Sequence, residues 1–261
     1  MINPRTAIEQ DAPQESLSRP IRLSVAAPAY NEAAGIEALV EHWCDVLSGM
    51  DQIAVFEVVV CNDGSKDDTG AILDRLSSRR PRVRPIHFAK NQGAAAALNA
   101  AIAATRMDWV LLIDSDGQFP IENVTGMLEA LRAKGAIAAI GVRKKKDAAF
   151  ARFGTWASGL VCNIVHGARL RDFNSAFKLV WGPRLRGLHL EAKGLNYSTE
   201  ITSRLLECRT EFVEVDIQHL PRSTGQSSMK LIRGPVHRLL FVAYLALRQL
   251  LLNSQVIVRP G

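Results

Sequence analysis

The sequence predicts an α/β domain: a mostly parallel sheet flanked by helices. Three observations carry this reading. Short apolar, β-branched runs alternate with segments whose apolar residues recur at helical spacing. The strand-like runs are apolar throughout, as expected of strands covered on both faces. The 261 residues, 48% hydrophobic and 22% charged, suffice for a full core and are ordinary in composition.

The elements follow in order. Residues 1–20 contain Pro4, Pro13 and Pro20 with Glu9, Asp11 and Glu15, and no apolar run. They read as a disordered leader and not as a signal peptide. Leu23–Ala27 is a short strand ended by Pro28. Ile36, Leu39, Val40, Trp43, Val46 and Leu47 mark a helix. Val55–Cys61 is a strand stopped by Asn62-Asp63-Gly64-Ser65, and Ile72, Leu73 and Leu76 mark the next helix. Val83–Phe88 reads as a strand. Gly93–Thr105, almost all alanine, reads as a helix that packs closely. Trp109–Ile113 is a buried strand ending at Asp114, and Ile121, Val124, Met127, Leu128 and Leu131 form a helical stripe. Strands follow at Ala136–Val142, Ala176–Trp181 and Phe212–Ile217, with helices at Ala149–His166 and Ser198–Glu207. The expected organisation is a leader over 1–20, one catalytic domain over 21–230 and a basic amphipathic segment over 231–261.

Several classes lose support. There is no G-x-G for a dinucleotide, no G-K-[ST] for a P-loop, no H-E-x-x-H and no G-x-S-x-G. Cys44, Cys61, Cys162 and Cys208 stand far apart without a C-x-x-C pair, as reduced thiols do. The net charge of +6 is concentrated at the C-terminus. Beyond Asp216 lie six cations and no anion, so residues 1–216 carry 26 charges of each sign. A basic tail suits an anionic partner. It lacks interleaved aromatics or any nucleic-acid motif, so nucleic acid is not expected.

Ligands of open α/β sheets bind at the carboxyl ends of strands. Three polar clusters fall there: Pro28-Ala29-Tyr30-Asn31-Glu32, Asn62-Asp63-Gly64-Ser65 and Asp114-Ser115-Asp116-Gly117-Gln118. Tyr30 can stack on a base, and Asp63 can accept a base N–H. Asp114-x-Asp116 can hold a hard cation beside a diphosphate, since such cations take oxygen ligands and substrate phosphates.

These clusters, with K-N-Q-G-A-A-A-A-L-N and D-S-D-G-Q-F-P in the same order, resemble the family 2 inverting glycosyltransferases of the GT-A fold. More narrowly they resemble the dolichyl-phosphate mannosyltransferase and polyprenyl-phosphate glycosyltransferase branch. The likeness covers roughly residues 22–230. It extends to Gly141-Val142-Arg143, to Arg171–Lys178 and to His219–Ser228. It implies that Pro28, Tyr30, Glu32 and Asp63 meet the base and ribose. Asp114, Ser115 and Asp116 would meet the ribose and diphosphate, with Asp116 and Gln118 on Mg²⁺ or Mn²⁺. Asp116, Gln118, Arg143 and Arg222 would be catalytic, and Ser175 and Lys178 would lie at the acceptor phosphate. Two departures stand out. Gly117 replaces an aliphatic residue, and Lys178 replaces an arginine whose planar fork it lacks.

The resemblance implies inverting transfer from a nucleotide-diphosphate sugar to a polyprenyl phosphate, by a peripheral enzyme on the cytoplasmic face of the membrane. The acceptor oxygen is already anionic at neutral pH, so no strong base is needed. Asp172 and Glu200 remain available as bases for a hydroxyl acceptor, and a catalytically silent nucleotide-sugar binder is a further alternative. In the tail, Leu239–Leu252 spans about 21 Å as a helix, too short for a ~30 Å bilayer core. His237, Tyr244 and Arg248 share one side of it, with leucines over the rest. A helix in the headgroup plane of an anionic membrane fits this pattern, as does one packed on the core or on a second copy.

Overall fold

The computed structural model describes residues 13–143, 149–192, 196–221 and 233–254. A seven-stranded sheet runs in the order β3-β2-β1-β4-β6-β5-β7. The strands are β1 (Ile21–Ala29), β2 (Ile53–Asn62), β3 (Val83–His87), β4 (Trp109–Leu112), β5 (Ala138–Arg143), β6 (Lys178–Trp181) and β7 (Phe212–Ile217). β1 pairs in parallel with β2 and β4, β2 with β3, and β5 with β7. Only β6 is antiparallel, to both β4 and β5. It starts at Lys178, two residues after its expected start.

The all-apolar strands are explained by two core layers. On one face, α2 (Ile36–Ser48), α3 (Thr69–Arg79) and α5 (Asn123–Lys134) bury Trp43, Leu73 and Leu128 against Leu23, Val25 and Leu111. On the other, α4 (Ala94–Ala104), α7 (Gly182–Arg186) and α8 (Tyr197–Glu207) pack on Ala26, Val59 and Val110. The alanines of α4 bring its backbone close to this face. α7, with Pro183 in its first turn, is too short to show a period in the sequence.

The expected leader is corrected in part. Residues 13–17 form a helical turn, α1. Leu17 is buried and Ser16 Oγ accepts a hydrogen bond from Trp109 Nε1 at 3.1 Å. The remainder of the leader lies outside the described residues. Cys44, Cys61 and Cys162 are buried, and all four thiols are free. Burial pushes Cys61 and Cys162 up to about 12, so both are unreactive.

α6 (Ala149–His166) and α9 (Arg233–Asn253) pack together, with Cys162, Phe173 and Val242 between them. The polar side of α9 is the side that packs on the protein. Arg248 faces inward and donates to both oxygens of the buried Glu207, at 3.3 and 3.1 Å. Tyr244 donates to Glu191, and Arg204 joins Glu191, Glu200 and Glu207 in one buried network. Outward point Leu247 (57% exposed) and Leu250 (65%), with Leu160, Val161 and Ile164 (73%) on α6. No helix among the described residues is long and apolar enough to cross a membrane.

Candidate active site

The three expected loops meet at one edge of the sheet, the carboxyl ends of β1, β2 and β4. Local chemistry binds the first two together. Gly64 has φ +62°, and a Cβ there would lie 2.4 Å from the carbonyl carbon of Lys90. Only glycine allows the turn after β2 to lie against residues 90 and 91. Asn62 Oδ1 accepts from Ser65 N at 3.1 Å, closing that turn. Asn31, at φ 55°, accepts from Lys66 N through Oδ1, and its own N–H reaches Ser65 Oγ. Glu32 N donates to Thr69 Oγ1, and Ala33 N to Asp67 Oδ2. The Asn-Asp-Gly-Ser-Lys-Asp-Asp-Thr run is thus the scaffold of the loop that follows β1.

Asp63 sits inside this scaffold. Its carboxylate accepts from Gln92 N at 2.7 Å, Gly93 N at 2.9 Å and Asn91 Nδ2 at 2.9 Å. It holds the Lys-Asn-Gln-Gly turn that opens α4 and is buried there. Expected to meet a base, it is engaged first as a clamp. Tyr30 and Pro28 are half-buried beside it, while Glu32 is buried.

The Asp114–Gln118 loop follows β4. Ser115 Oγ donates to Pro28 O at 2.7 Å, tying this loop to the end of β1. Gly117 takes φ +73°, which explains its departure from an aliphatic residue. Asp116 Oδ1 accepts from Gln118 N at 3.1 Å. Gln118 also pairs with the chain after β7: Leu220 N donates to its carbonyl at 2.8 Å, and its Nε2 donates to Leu220 O at 3.3 Å. Phe119 packs edge-on to His219 and stacks on Phe177. Residues 218–221 are therefore fixed against the acidic loop. Arg222 and the rest of the Arg222–Ser228 run lie outside the described residues, as do Lys144–Lys146.

Burial, and then the like charge of Asp116, push Asp114 up to about 6, against a hydrogen bond from Tyr197 that lowers it. The charges of Arg143 and Lys178 also lower it. The loop's donors, two carboxylates and the Gln118 amide, are all oxygens and fit a hard divalent cation. Among the described residues no three His, Cys, Asp or Glu side chains gather to hold a metal alone. A cation here would complete its shell with substrate oxygens.

Arg143, at the end of β5, reaches the same edge. Its Nε and Nη2 donate to Asp172 Oδ2 at 2.7 Å and Oδ1 at 2.9 Å. Burial works against its charge, but the bonds and charge of Asp172 outweigh that and raise its pKa. The fork uses one edge of the guanidinium and leaves further N–H groups on the other. Asp172 is fully engaged and buried. Glu200, the second possible base, is buried and accepts from Glu191 N, Ala192 N and Arg204.

Ser175 and Lys178, expected at an acceptor phosphate, are both fully buried. The Lys178 ammonium donates to Ser175 O, to Ser198 O at 3.3 Å and to Ser198 Oγ at 2.7 Å. Its three N–H bonds are committed inside the protein, so this structure does not offer it to a phosphate. Burial lowers it to about 7, with Arg143 adding to the fall and Asp172 and Asp114 opposing it. Ser175 Oγ has no hydrogen-bond partner among the described residues. Two further residues of the site went unassigned in the sequence: Tyr197 and Ser198. Their spacing with Ile201 and Leu205 signals only a buried helix face.

The family model described as "Glycosyl transferase family 2" matches residues 24–179. The glycosyltransferase AglD of Haloferax volcanii is 33% identical over 135 residues, 52% of this chain but only 22% of AglD. The undecaprenyl-phosphate mannosyltransferase of Micrococcus luteus is 26% identical over 221 residues, 80% of this chain and 88% of that protein. Glucosyl-3-phosphoglycerate synthase from Mycobacterium tuberculosis, solved with Mn²⁺ and UDP-glucose, superposes with a TM-score of 0.66 at 19% identity. That match covers 92% of this chain and 82% of the synthase and shows a shared GT-A fold. The chain belongs to glycosyl transferase family 2, and proteins named as polyprenyl-phosphate sugar transferases are among its relatives.

Proposed function

We propose that the protein transfers a sugar, with inversion, from a nucleotide-diphosphate sugar to a polyprenyl phosphate at a cytoplasmic membrane face. The observation that carries this reading is the state of the two carboxylates a hydroxyl acceptor would need as a base. Asp172 is locked by Arg143 and Glu200 by three donors. A phosphate acceptor needs neither. Its second pKa is about 6, so its oxygen is anionic at neutral pH.

The chain's own groups have distinct tasks. The loops after β1 and β2, with Tyr30 and Asp63, form the edge that receives the nucleotide. Asp116 and Gln118, with Asp114, would hold Mg²⁺ or Mn²⁺, which as a Lewis acid stabilises a leaving diphosphate. The free edge of Arg143, held by Asp172, offers N–H donors to a second phosphate group against the repulsion between substrates. The family resemblance gives the same task to Arg222, which lies outside the described residues. Attack on the face opposite the diphosphate inverts the anomeric centre.

The same reading assigns the exposed apolar surface of α6 and α9 to the membrane. Leu160, Val161, Ile164, Leu247 and Leu250 would enter the interface, and the net positive charge of the sequence beyond Asp216 would draw this surface to anionic headgroups. The decisive experiment incubates UDP- and GDP-sugars with a polyprenyl phosphate in detergent and Mn²⁺, and identifies the lipid product and its anomer. An inverted glycosyl phospholipid is expected. Transfer only to hydroxyl acceptors, or no transfer from any donor, would overturn the reading. Leu247→Glu/Leu250→Glu protein should keep donor binding and lose co-sedimentation with anionic vesicles.

A further inference from the structure

We infer that Tyr197 is a positioning residue for the acidic loop: its hydroxyl fixes the Asp114 carboxylate in the orientation that the cation and diphosphate require. The inference rests on the donor-site reading above and adds a residue to it. Tyr197 opens α8, on the opposite side of the sheet from α2 and α5, and its ring is buried in the core there. Its hydroxyl reaches through to the end of β4 and donates to Asp114 Oδ1.

The other polar groups around Asp114 are committed elsewhere. Ser115 Oγ bonds Pro28 O. The Arg143 fork is on Asp172. The Lys178 ammonium is spent on Ser175 O and Ser198. Gln118 N goes to Asp116. Among the described residues, Tyr197 is the hydrogen-bond donor to Asp114. Without it, a carboxylate repelled by Asp116 and drawn toward Arg143 and Lys178 has no hydrogen bond to hold it among the described residues. A carboxylate with one oxygen held by a rigid ring presents the other oxygen in a fixed place. Such preorganisation lowers the ordering cost of binding.

The test is calorimetric titration of Mn²⁺ with UDP or GDP into wild type, Tyr197→Phe, Asp114→Asn and the double variant, together with steady-state kinetics. Phenylalanine keeps the buried ring and removes only the hydroxyl. Losing one hydrogen bond to a charged group should weaken Mn²⁺–nucleotide binding roughly tenfold or more. Donor KM should rise with it, while acceptor KM stays unchanged. If Tyr197 acts through Asp114, the double variant binds no worse than Asp114→Asn alone. A penalty that persists in the Asp114→Asn background is structural and overturns the inference, as does Tyr197→Phe binding equal to wild type. Wild type that binds neither nucleotide with Mn²⁺ overturns the donor-site reading itself, so the two failures are distinct.

Discussion

Replacing Asp63 by alanine tests how the nucleotide edge is built. The change removes the acceptor of two backbone N–H groups, Gln92 and Gly93, and of the Asn91 amide. The two backbone donors stand at the N-terminus of α4, where a carboxylate also meets the positive end of the helix dipole. Hydrogen bonds to a charged group are worth about 1.5–3 kcal/mol each, and water replaces part of that at this half-buried turn, so the loss should be roughly 3–5 kcal/mol. For a chain of this size each kcal/mol moves Tm by about 2–4 °C, placing the variant on the order of 10 °C below wild type. Asp63→Asn keeps one acceptor oxygen but turns an NH₂ toward a donor, and should fall between. The assay is thermal unfolding by circular dichroism at neutral pH, with hydrogen exchange read at the Gln92 and Gly93 amides. Exchange should accelerate at both, and donor KM should rise more than kcat falls. An Asp63→Ala protein that melts with wild type and protects both amides would refute the clamp.

Asp116→Asn should cost turnover of order 10²–10³, because one electrostatic contact in a site is commonly worth that; equal activity in EDTA and in Mn²⁺ would contradict the metal assignment. Asp114, raised from 3.8 to about 6, binds its proton more tightly in the folded than in the unfolded chain. Stability is then lost as pH rises from about 4 to about 6, by roughly 3 kcal/mol. Asp114→Asn should remove that slope and raise Tm at pH 7 while abolishing transfer, as urea titrations across this range will show. Arg143→Lys leaves the buried Asp172 with one bond in place of a fork, so it should lose about 3 kcal/mol of stability along with activity. Gly64→Ala should misfold or sharply weaken donor binding, since its Cβ meets the Lys90 backbone.

The sequence and the structure agree most closely where burial alone decides. β7 runs over the expected Phe212–Ile217, and α4 lies one residue inside Gly93–Thr105 at each end. The sheet-edge placement of Asp63, Asp114 and Arg143 followed from strand-then-polar-turn patterns, which report position along the chain. Those patterns carry no record of a side chain's partner. Asp63 reads as a ligand contact in a turn, yet its oxygens face Gln92 and Gly93, 29 and 30 residues away. Lys178, inside the strand expected from Ala176, reads by resemblance as a contact of the acceptor phosphate. Its burial depends on Ser198, which α8 supplies from across the fold. Tyr197 falls on an apolar stripe with Ile201 and Leu205, so its hydroxyl is invisible to periodicity. In α9 the spacing gave a polar side and a leucine side but not which one faces in. Buried Glu207 decides that, by requiring Arg248.

The reversed direction of β6 divides the molecule. β1, β2, β3 and β4 form a continuous parallel block, and every loop on its working edge comes from a strand ending there. β6 is the seam. It meets β4 and β5 head to tail, so the segment from Asp172 to Phe177 arrives at that edge as an entrance rather than an exit. Beyond the seam, β5 and β7 bring Arg143 and the chain toward His219 to the same rim. The loops after β1 and β2 can therefore diverge independently of the second block, which reaches the first through Tyr197 on Asp114 and Leu220 on Gln118. Lengthening or replacing the chain between β5 and β6 changes what enters that edge at Asp172–Phe177 without disturbing the hydrogen bonds described among the loops after β1 and β2. A fold divided in this way can keep one substrate constant while descendants change the other, and chimeras joined at β6 should do so where both parents keep the Tyr197–Asp114 bond.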